Sequence, residues 1–257
     1  MLTLDQIKKN YSKEIFRKNS KAVLVEYLQY ELLDSIFKQK NSEKLSFIGG
    51  TAIRVVYNSS RFSEDLDFDN LGLSYSGFGK IIEKVIFDME NKGFILEFRL
   101  IKKGAYHCYI KFPNLLFNNS LSANKDEKIL VRIDTVRKNK NFNPEIYTLN
   151  GFGIYRKMLV NPSSIILSQK LITILQRKRE KGRDFYDVSF LFGLADPDYV
   201  FLKKELGVGK DDFKRKILKK VSKLDMKDLS LDVEPFLINP DDRERVLSFK
   251  EYIEQKL

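Results

Sequence analysis

The spacing of hydrophobic and polar positions changes along this chain, and each change marks a different element. Thr3-Leu4-Asp5-Gln6 has capping-box spacing, in which a threonine hydroxyl and a glutamine side chain each satisfy an orphan amide, so a short helix is predicted there. Ser20 opens a longer segment. Val23, Leu24, Tyr27, Leu28, Leu32, Ile36 and Phe37 follow the 3.6-residue period, which predicts a helix from Lys21 to about Lys38. Asn41-Ser42 interrupts it, and Leu45 to Ile48 reads as a short buried strand. From Ser63 the period becomes two. Asp65, Asp67 and Asp69 alternate with Leu66 and Phe68, so on a strand the three carboxylates share one face.

Beyond this stretch Gly72 to Gly79 reads as a loop. A helix is expected from Lys80 to Asn91, stopped at Lys92-Gly93. Phe94 to Ile101 alternates like a strand, Lys102-Lys103-Gly104 turns, and Ala105 to Phe112 should complete a hairpin. Pro113 to Asn124 reads as a loop, and Lys128 to Val136 as a strand carrying Asp134 near its end. Asn139 to Asn143 is polar and expected to be mobile, and Tyr155 to Val160 reads as one more strand. At Asn161-Pro162 the pattern turns helical. One helix is expected from Ser163 to about Lys181 with Gly182 ending it. Others are expected from Arg183 or Asp184 to about Leu194, Tyr199 to Leu206, Asp211 to Lys223, and Pro240 to Lys256. The fold class is therefore mixed α/β (α+β) followed by an all-α part, with domains at 1–160 and 161–257.

Composition narrows the function classes. The 257 residues are 43% hydrophobic and 32% charged, as in ordinary globular proteins. A net charge of +11 suits a polyanionic partner such as RNA or DNA, or an anionic membrane surface; a generally Lys-rich surface explains it equally well. A single cysteine, Cys108, excludes an internal disulfide and suits a reducing cytoplasm. Its neighbour His107 would face the other side of a strand, which argues against a Cys/His nucleophile, and one Cys with one His argues against a zinc centre. The N-terminus lacks a signal-peptide core and no apolar run nears the ~18 residues that span a membrane. The expected location is cytoplasmic.

The candidate chemistry lies between Phe47 and Asp69. Asp65 and Asp67, two apart on a strand, are spaced to share a divalent cation such as Mg²⁺ (or Mn²⁺), and Asp134 could add a third carboxylate. A solvated acidic strand end has the same pattern. Gly49-Gly50-Thr51 lies between a predicted strand and helix. Amides there can cradle a phosphate, and Thr51 could donate a hydroxyl or simply cap the helix. Neither a Walker A loop nor a Rossmann fingerprint is present. Arg54 is read as a partner of the acids; Arg61 fits either pairing or phosphate steering. In the helical part Lys170 stands among apolar neighbours, where it could snorkel to the surface or meet a triphosphate. Asp184 and Asp187, one turn apart, could stabilise a helix N-terminus.

GGTAIRVVY, RFSEDLDFD and KLITILQRKREKGRDFYD together resemble the AbiEii family of nucleotidyltransferase toxins, within the DNA polymerase β-like nucleotidyltransferase superfamily. The likeness covers roughly Phe47 to Leu194. It implies a nucleotidyltransferase-like mixed sheet with flanking helices, NTP and Mg²⁺ (or Mn²⁺) as ligands, and a toxin of a type IV toxin–antitoxin or abortive-infection pair with a cognate antitoxin. It implies transfer to an acceptor, an RNA (tRNA) 3′ end first, with a protein or small-molecule acceptor, or a binding module without turnover, as alternatives. Carried over by motif, Gly50, Thr51 and Lys170 hold the nucleotide, and Gly49 and Arg61 beside them complete the candidate nucleotide-binding set. Asp65 and Asp67 bind metal, Asp134 is the third acid, and Asp187 closes the second motif. Thr51 stands where many superfamily members carry serine, which keeps the hydroxyl.

Overall fold

The computed structural model describes residues 1–137 and 142–257. The chain divides into two compact units. The first holds residues 1–160 apart from Ser59–Arg61 and a few residues before Glu145; the second holds those short segments and Asn161–Leu257.

The first unit is built on a sheet of seven strands among the described residues. They are β1 (Leu45–Ile48), β2 (Leu66–Asn70), β3 (Glu97–Lys103), β4 (Ala105–Phe112), β5 (Ile129–Arg137), β6 (Glu145–Gly151) and β7 (Ile154–Val160), in the order β3-β4-β5-β2-β1-β7-β6. β2 runs parallel to β5 and β1 parallel to β7, while the other neighbours are antiparallel, so the sheet is mixed. Its helices are α1 (Leu4–Lys8), α2 (Lys13–Phe37), α3 (Gly49–Tyr57), α4 (Tyr75–Asn91) and the short α5 (Leu115–Asn118). The two-residue alternation decides which face is core. Phe68, Cys108, Ile110, Val131 and Ile133 are buried, and Phe68 meets Phe37 of α2 and Phe47 of β1. The residues between them, Asp67, His107, Tyr109, Arg132 and Asp134, take the opposite face.

Several boundaries differ from expectation, each for a local reason. The capping box at Thr3 and Gln6 forms and starts α1 as read. α2 begins at Lys13, capped by Ser12, and runs through Ser20 with non-helical torsions at Asn19. The expected loop from Gly72 to Gly79 is largely helix, because the Ser74 hydroxyl accepts from the Gly77 amide at 3.0 Å and Phe78 is buried. Together these offset the roughly 1 kcal/mol that each helical glycine costs. β6 was not anticipated. It is an edge strand with Ile146 72% exposed, and a two-residue turn at Phe152-Gly153, φ +53° and +78°, joins it to β7. The expectation for Asn139 to Asn143 falls mostly outside the described residues.

The second unit carries α6 (Ser163–Gln176), α7 (Gly182–Leu191), α8 (Tyr199–Leu206), α9 (Lys210–Val221), α10 (Met226–Val233), α11 (Glu244–Leu247) and α12 (Phe249–Lys256). α6 ends at Gln176 rather than near Lys181, with Arg177 already extended. Gly182 opens α7 instead of closing α6. A Cβ there would lie 1.9 Å from the Leu229 carbonyl oxygen, and its amide donates to Asp232 Oδ2 at 2.8 Å, so glycine is needed for the approach of α10. α10 was not expected, although Met226, Leu229 and Val233 are buried at helical spacing. The single helix expected from Pro240 is broken into a 3₁₀ turn, α11 and α12. No helix among the described residues is long and apolar enough to cross a membrane.

Candidate functional site

In the first unit the glycine turn and the acidic strand meet closely. Gly49 leaves β1 with φ +79°, a torsion that disfavours any side chain, and a Cβ there would lie 2.4 Å from Asp67 Oδ2. Asp67 therefore lies against the N-terminus of α3. Thr51 is fully buried and donates its hydroxyl to the Asp65 carbonyl oxygen. It does not cap α3, whose N-cap position is Ile48 with no side-chain bond. The threonine instead ties α3 to the backbone just before β2.

Asp67 and Asp134 are partners in the parallel pairing of β2 with β5, and parallel partners share a face. Asp65 precedes the strand. Two residues that sequence reasoning left out join these acids. Arg132 places Nη2 2.8 Å from Asp65 Oδ2 and Nε 2.8 Å from Asp134 Oδ2. His107 places Nδ1 2.7 Å from Asp134 Oδ1, across the β4–β5 pairing. Arg132 was legible in part, since it stands two residues before Asp134 on an alternating strand. His107 needed the hairpin register, which no local pattern supplies.

Burial raises Asp65 above the usual carboxylate range; Arg132 pulls it down and the charges of Asp134 and Glu64 push it up. Arg132 is held above its ordinary value because Asp65, Asp134 and Asp67 outweigh the cost of its partial burial. A depression of about 460 Å³ opens beside Asp65 and Arg132, lined also by Lys21, Glu64, Tyr109 and Leu130. Among the described residues no three acid, histidine or cysteine side chains converge to hold a metal ion. The donor chemistry still suits a hard divalent cation, for the aspartates offer oxygen ligands and Arg132 now supplies their positive charge.

The second unit has its own charged cluster. Arg61 grips Asp187 with both arms, Nε to Oδ1 and Nη2 to Oδ2, each at 2.6 Å. Lys170 Nζ lies 2.8 Å from Asp187 Oδ2 and 3.0 Å from Asp184 Oδ1, and Arg177 Nη1 lies 2.8 Å from Asp184 Oδ2. The side chains of Asp187 and Arg61 are 0% and 2% exposed. Burial alone would raise Asp187, but Arg61 and Lys170 overcome it and hold the carboxyl below its ordinary value. The same acids keep the Lys170 ammonium charged despite its burial.

These pairings answer the open readings. Arg61 is committed to Asp187. Arg54 pairs with Glu26, Nε to Oε2 at 2.7 Å. Lys170 does not snorkel; it joins α6 to α7 through two carboxylates. Asp184 lies in the first turn of α7, as expected of a helix-stabilising acid, and also binds Lys170 and Arg177. Cys108 is fully buried with its thiol pushed up to about 12, so it is no nucleophile.

A family model described as nucleotidyl transferase AbiEii toxin, type IV TA system, matches residues 31–253. The chain belongs to the AbiEii family. The AbiEii match spans most of both units, and with it come nucleotidyltransferase activity, an NTP substrate and a toxin's place in a type IV toxin–antitoxin system. Two solved structures share the fold. JHP933 from Helicobacter pylori is 19% identical with a TM-score of 0.58, covering 91% of each chain. MenT4, a nucleotidyltransferase toxin from Mycobacterium tuberculosis H37Rv, is 14% identical with a TM-score of 0.56, covering 98% of this chain and 99% of its own. Comparison with curated protein sequences gives no match.

Proposed function

We propose that this AbiEii nucleotidyltransferase moves a nucleoside monophosphate from an NTP to the 3′ end of an RNA, tRNA first, and that Asp65, Asp67 and Asp134 hold the Mg²⁺ (or Mn²⁺) it uses. One observation carries the reading: Asp67 and Asp134 stand in register on adjacent parallel strands, and Asp67 lies against the Gly49 turn. The amides of Gly49 and Gly50, at the start of α3, face the triphosphate, while Thr51 fixes that turn to the Asp65 backbone. The metal, when bound, neutralises charge on the triphosphate and the departing pyrophosphate. Asp134, oriented by His107, accepts the proton of the RNA 3′ hydroxyl as that oxygen bonds to the α-phosphorus and the bond to pyrophosphate breaks. Arg132 balances the acids before ligands arrive and then turns to phosphate. In the second unit Lys170 and Asp187 are positioning residues that lock α6 to α7, with Arg61 as a second counter-charge for Asp187.

An RNA acceptor is supported by the net charge of +11. A cytoplasmic location and a cognate antitoxin go with the reading. The test incubates the protein with labelled NTPs, Mg²⁺ and total RNA. RNase-sensitive label is expected to appear and to fall about 10²–10³-fold in Asp67→Ala. Label that survives RNase and migrates with protein would move the acceptor to a protein side chain. Transfer unchanged by Asp67→Ala would overturn the site.

A further inference from the structure

In the second unit α9 and the turn after it carry a run of cations without an acid among them: Lys214, Arg215, Lys216, Lys219, Lys220 and Lys223. Asp212 engages Arg215, and Lys220 bridges Glu180 at 2.6 Å and the Arg177 carbonyl oxygen at 3.2 Å. Lys216, Lys219 and Lys223 are exposed and make no ion pair among the described residues. Lys216 and Lys219 fall at i and i+3 on one side of α9, where like charges repel, and Lys223 follows in the turn after the helix. They rim a depression of about 400 Å³ whose floor is Leu175, Leu206 and Val208. The contact of Lys220 with Arg177 and Glu180 brings the exposed Lys178 and Arg179 to the same neighbourhood.

We infer that this face of α9 and the turn after it is a docking surface for the RNA backbone, separate from the aspartates that carry the chemistry; the inference rests on the RNA-acceptor reading. The chemistry of the face selects the partner. Protein–protein interfaces are depleted in lysine and enriched in aromatic, methionine and arginine anchors, and this depression has lysines and no aromatic lining residue among the described ones. Nucleic-acid interfaces are polar and strongly positive. Lysines on long flexible stems follow a phosphate chain without needing fixed geometry, and the apolar floor accepts the flat face of a base or ribose between them. The repulsion along α9 is relieved when phosphates neutralise it.

The experiment measures fluorescence anisotropy of a labelled single-stranded RNA of roughly 20 nucleotides, with salt varied between about 50 and 200 mM. The probe is titrated with the full chain and with Lys216→Gln/Lys219→Gln/Lys223→Gln and the corresponding triple Glu variant. Thermal unfolding of the variants reports that the helices are intact. The Gln variant is expected to bind at least about tenfold more weakly at low salt. It should also flatten the slope of log K against log salt by about 2, because each phosphate that a lysine neutralises on a single strand contributes ~0.7. The Glu variant should bind more weakly still. Polyglutamate should compete poorly against RNA at equal charge. Binding by the Gln variant equal to wild type, or polyglutamate competing as well as RNA, would overturn the surface. Lysine-dependent RNA binding by protein that transfers no label would support the surface and overturn the RNA acceptor.

Discussion

In the first unit Asp65 and Asp134 meet Arg132 with side chains 30%, 17% and 40% exposed; in the second Asp187 meets Arg61 and Lys170 with side chains 0%, 2% and 16% exposed. Both clusters pair aspartates with basic side chains, and the consequences differ. Where water is excluded, an unmatched charge costs several kcal/mol, so each partner is needed and none can leave. With water nearby, both the cost of ionisation and the strength of pairing are smaller, so Arg132 can release its acids to an incoming cation or phosphate. Exposure, not residue identity, separates the cluster able to take a ligand from the one that fastens helices.

The strongest way to break this comparison is to remove one acid from each cluster. Asp187→Ala leaves Arg61 and Lys170 buried without their main counter-charge and is expected to cost about 3–5 kcal/mol, read as a lower denaturant midpoint. Asp67→Ala should change that midpoint by less than about 1 kcal/mol while removing transfer. If Asp67→Ala destabilises as much as Asp187→Ala, the distinction between the clusters fails.

Acid should then separate them. The folded-state value of Asp187 lies below that of the unfolded chain, near 3.9, because Arg61 and Lys170 outweigh its burial. The unfolded chain therefore takes up protons first as pH falls. The stability that Asp187 contributes is complete above about pH 4 and is lost as pH drops through its lower folded value. Unfolding midpoints measured from pH 6 down to 3 should fall for wild type. Asp187→Asn should start lower and fall less steeply; parallel curves would remove Asp187 as the source.

A smaller effect tests how tightly the glycine turn and Asp67 fit. Gly49→Ala puts a Cβ at φ +79° against Asp67 Oδ2 and should cost about 1–2 kcal/mol while lowering transfer. Gly72→Ala, at φ +123° with nothing within 4 Å, supplies the backbone cost alone. Equal transfer by the two variants would mean that the position of Asp67 does not depend on Gly49.

These residues also show how far the sequence could be read. Local patterns located the strand of Asp67, the glycine turn, the Ala105–Phe112 strand and the capped helix starts at Thr3 and Asp198, because each depends on neighbours within one turn or one pleat. The pairing of Lys170 with Asp187 was also within reach, since the motif set them on successive helices. What escaped came from contacts distant in the chain. Arg61 fitted pairing or phosphate steering equally until Asp187, 126 residues later, took its guanidinium. Gly182 looked like a helix stop until the Leu229 carbonyl required a residue with no Cβ. The Lys128–Val136 alternation already put Arg132 on the face of Asp134, but its bridge to Asp65 depends on the pairing of β2 with β5.

That cation gives the smallest effect. Arg132→Gln removes a half-exposed pair, so stability should shift by less than about 1 kcal/mol. The two acids it bridges lose their positive charge, and a divalent cation no longer competes with a guanidinium for them. Affinity for Mn²⁺, followed by the loss of its free-ion spin-resonance signal, should therefore rise in Arg132→Gln even as transfer falls. Asp187→Asn, which alters a cluster already saturated by Arg61 and Lys170, should leave Mn²⁺ binding where it was. Weaker Mn²⁺ binding in Arg132→Gln would mean that the arginine organises the carboxylates instead of standing in for the metal, and the contrast between a replaceable and a fixed counter-charge would have to be abandoned.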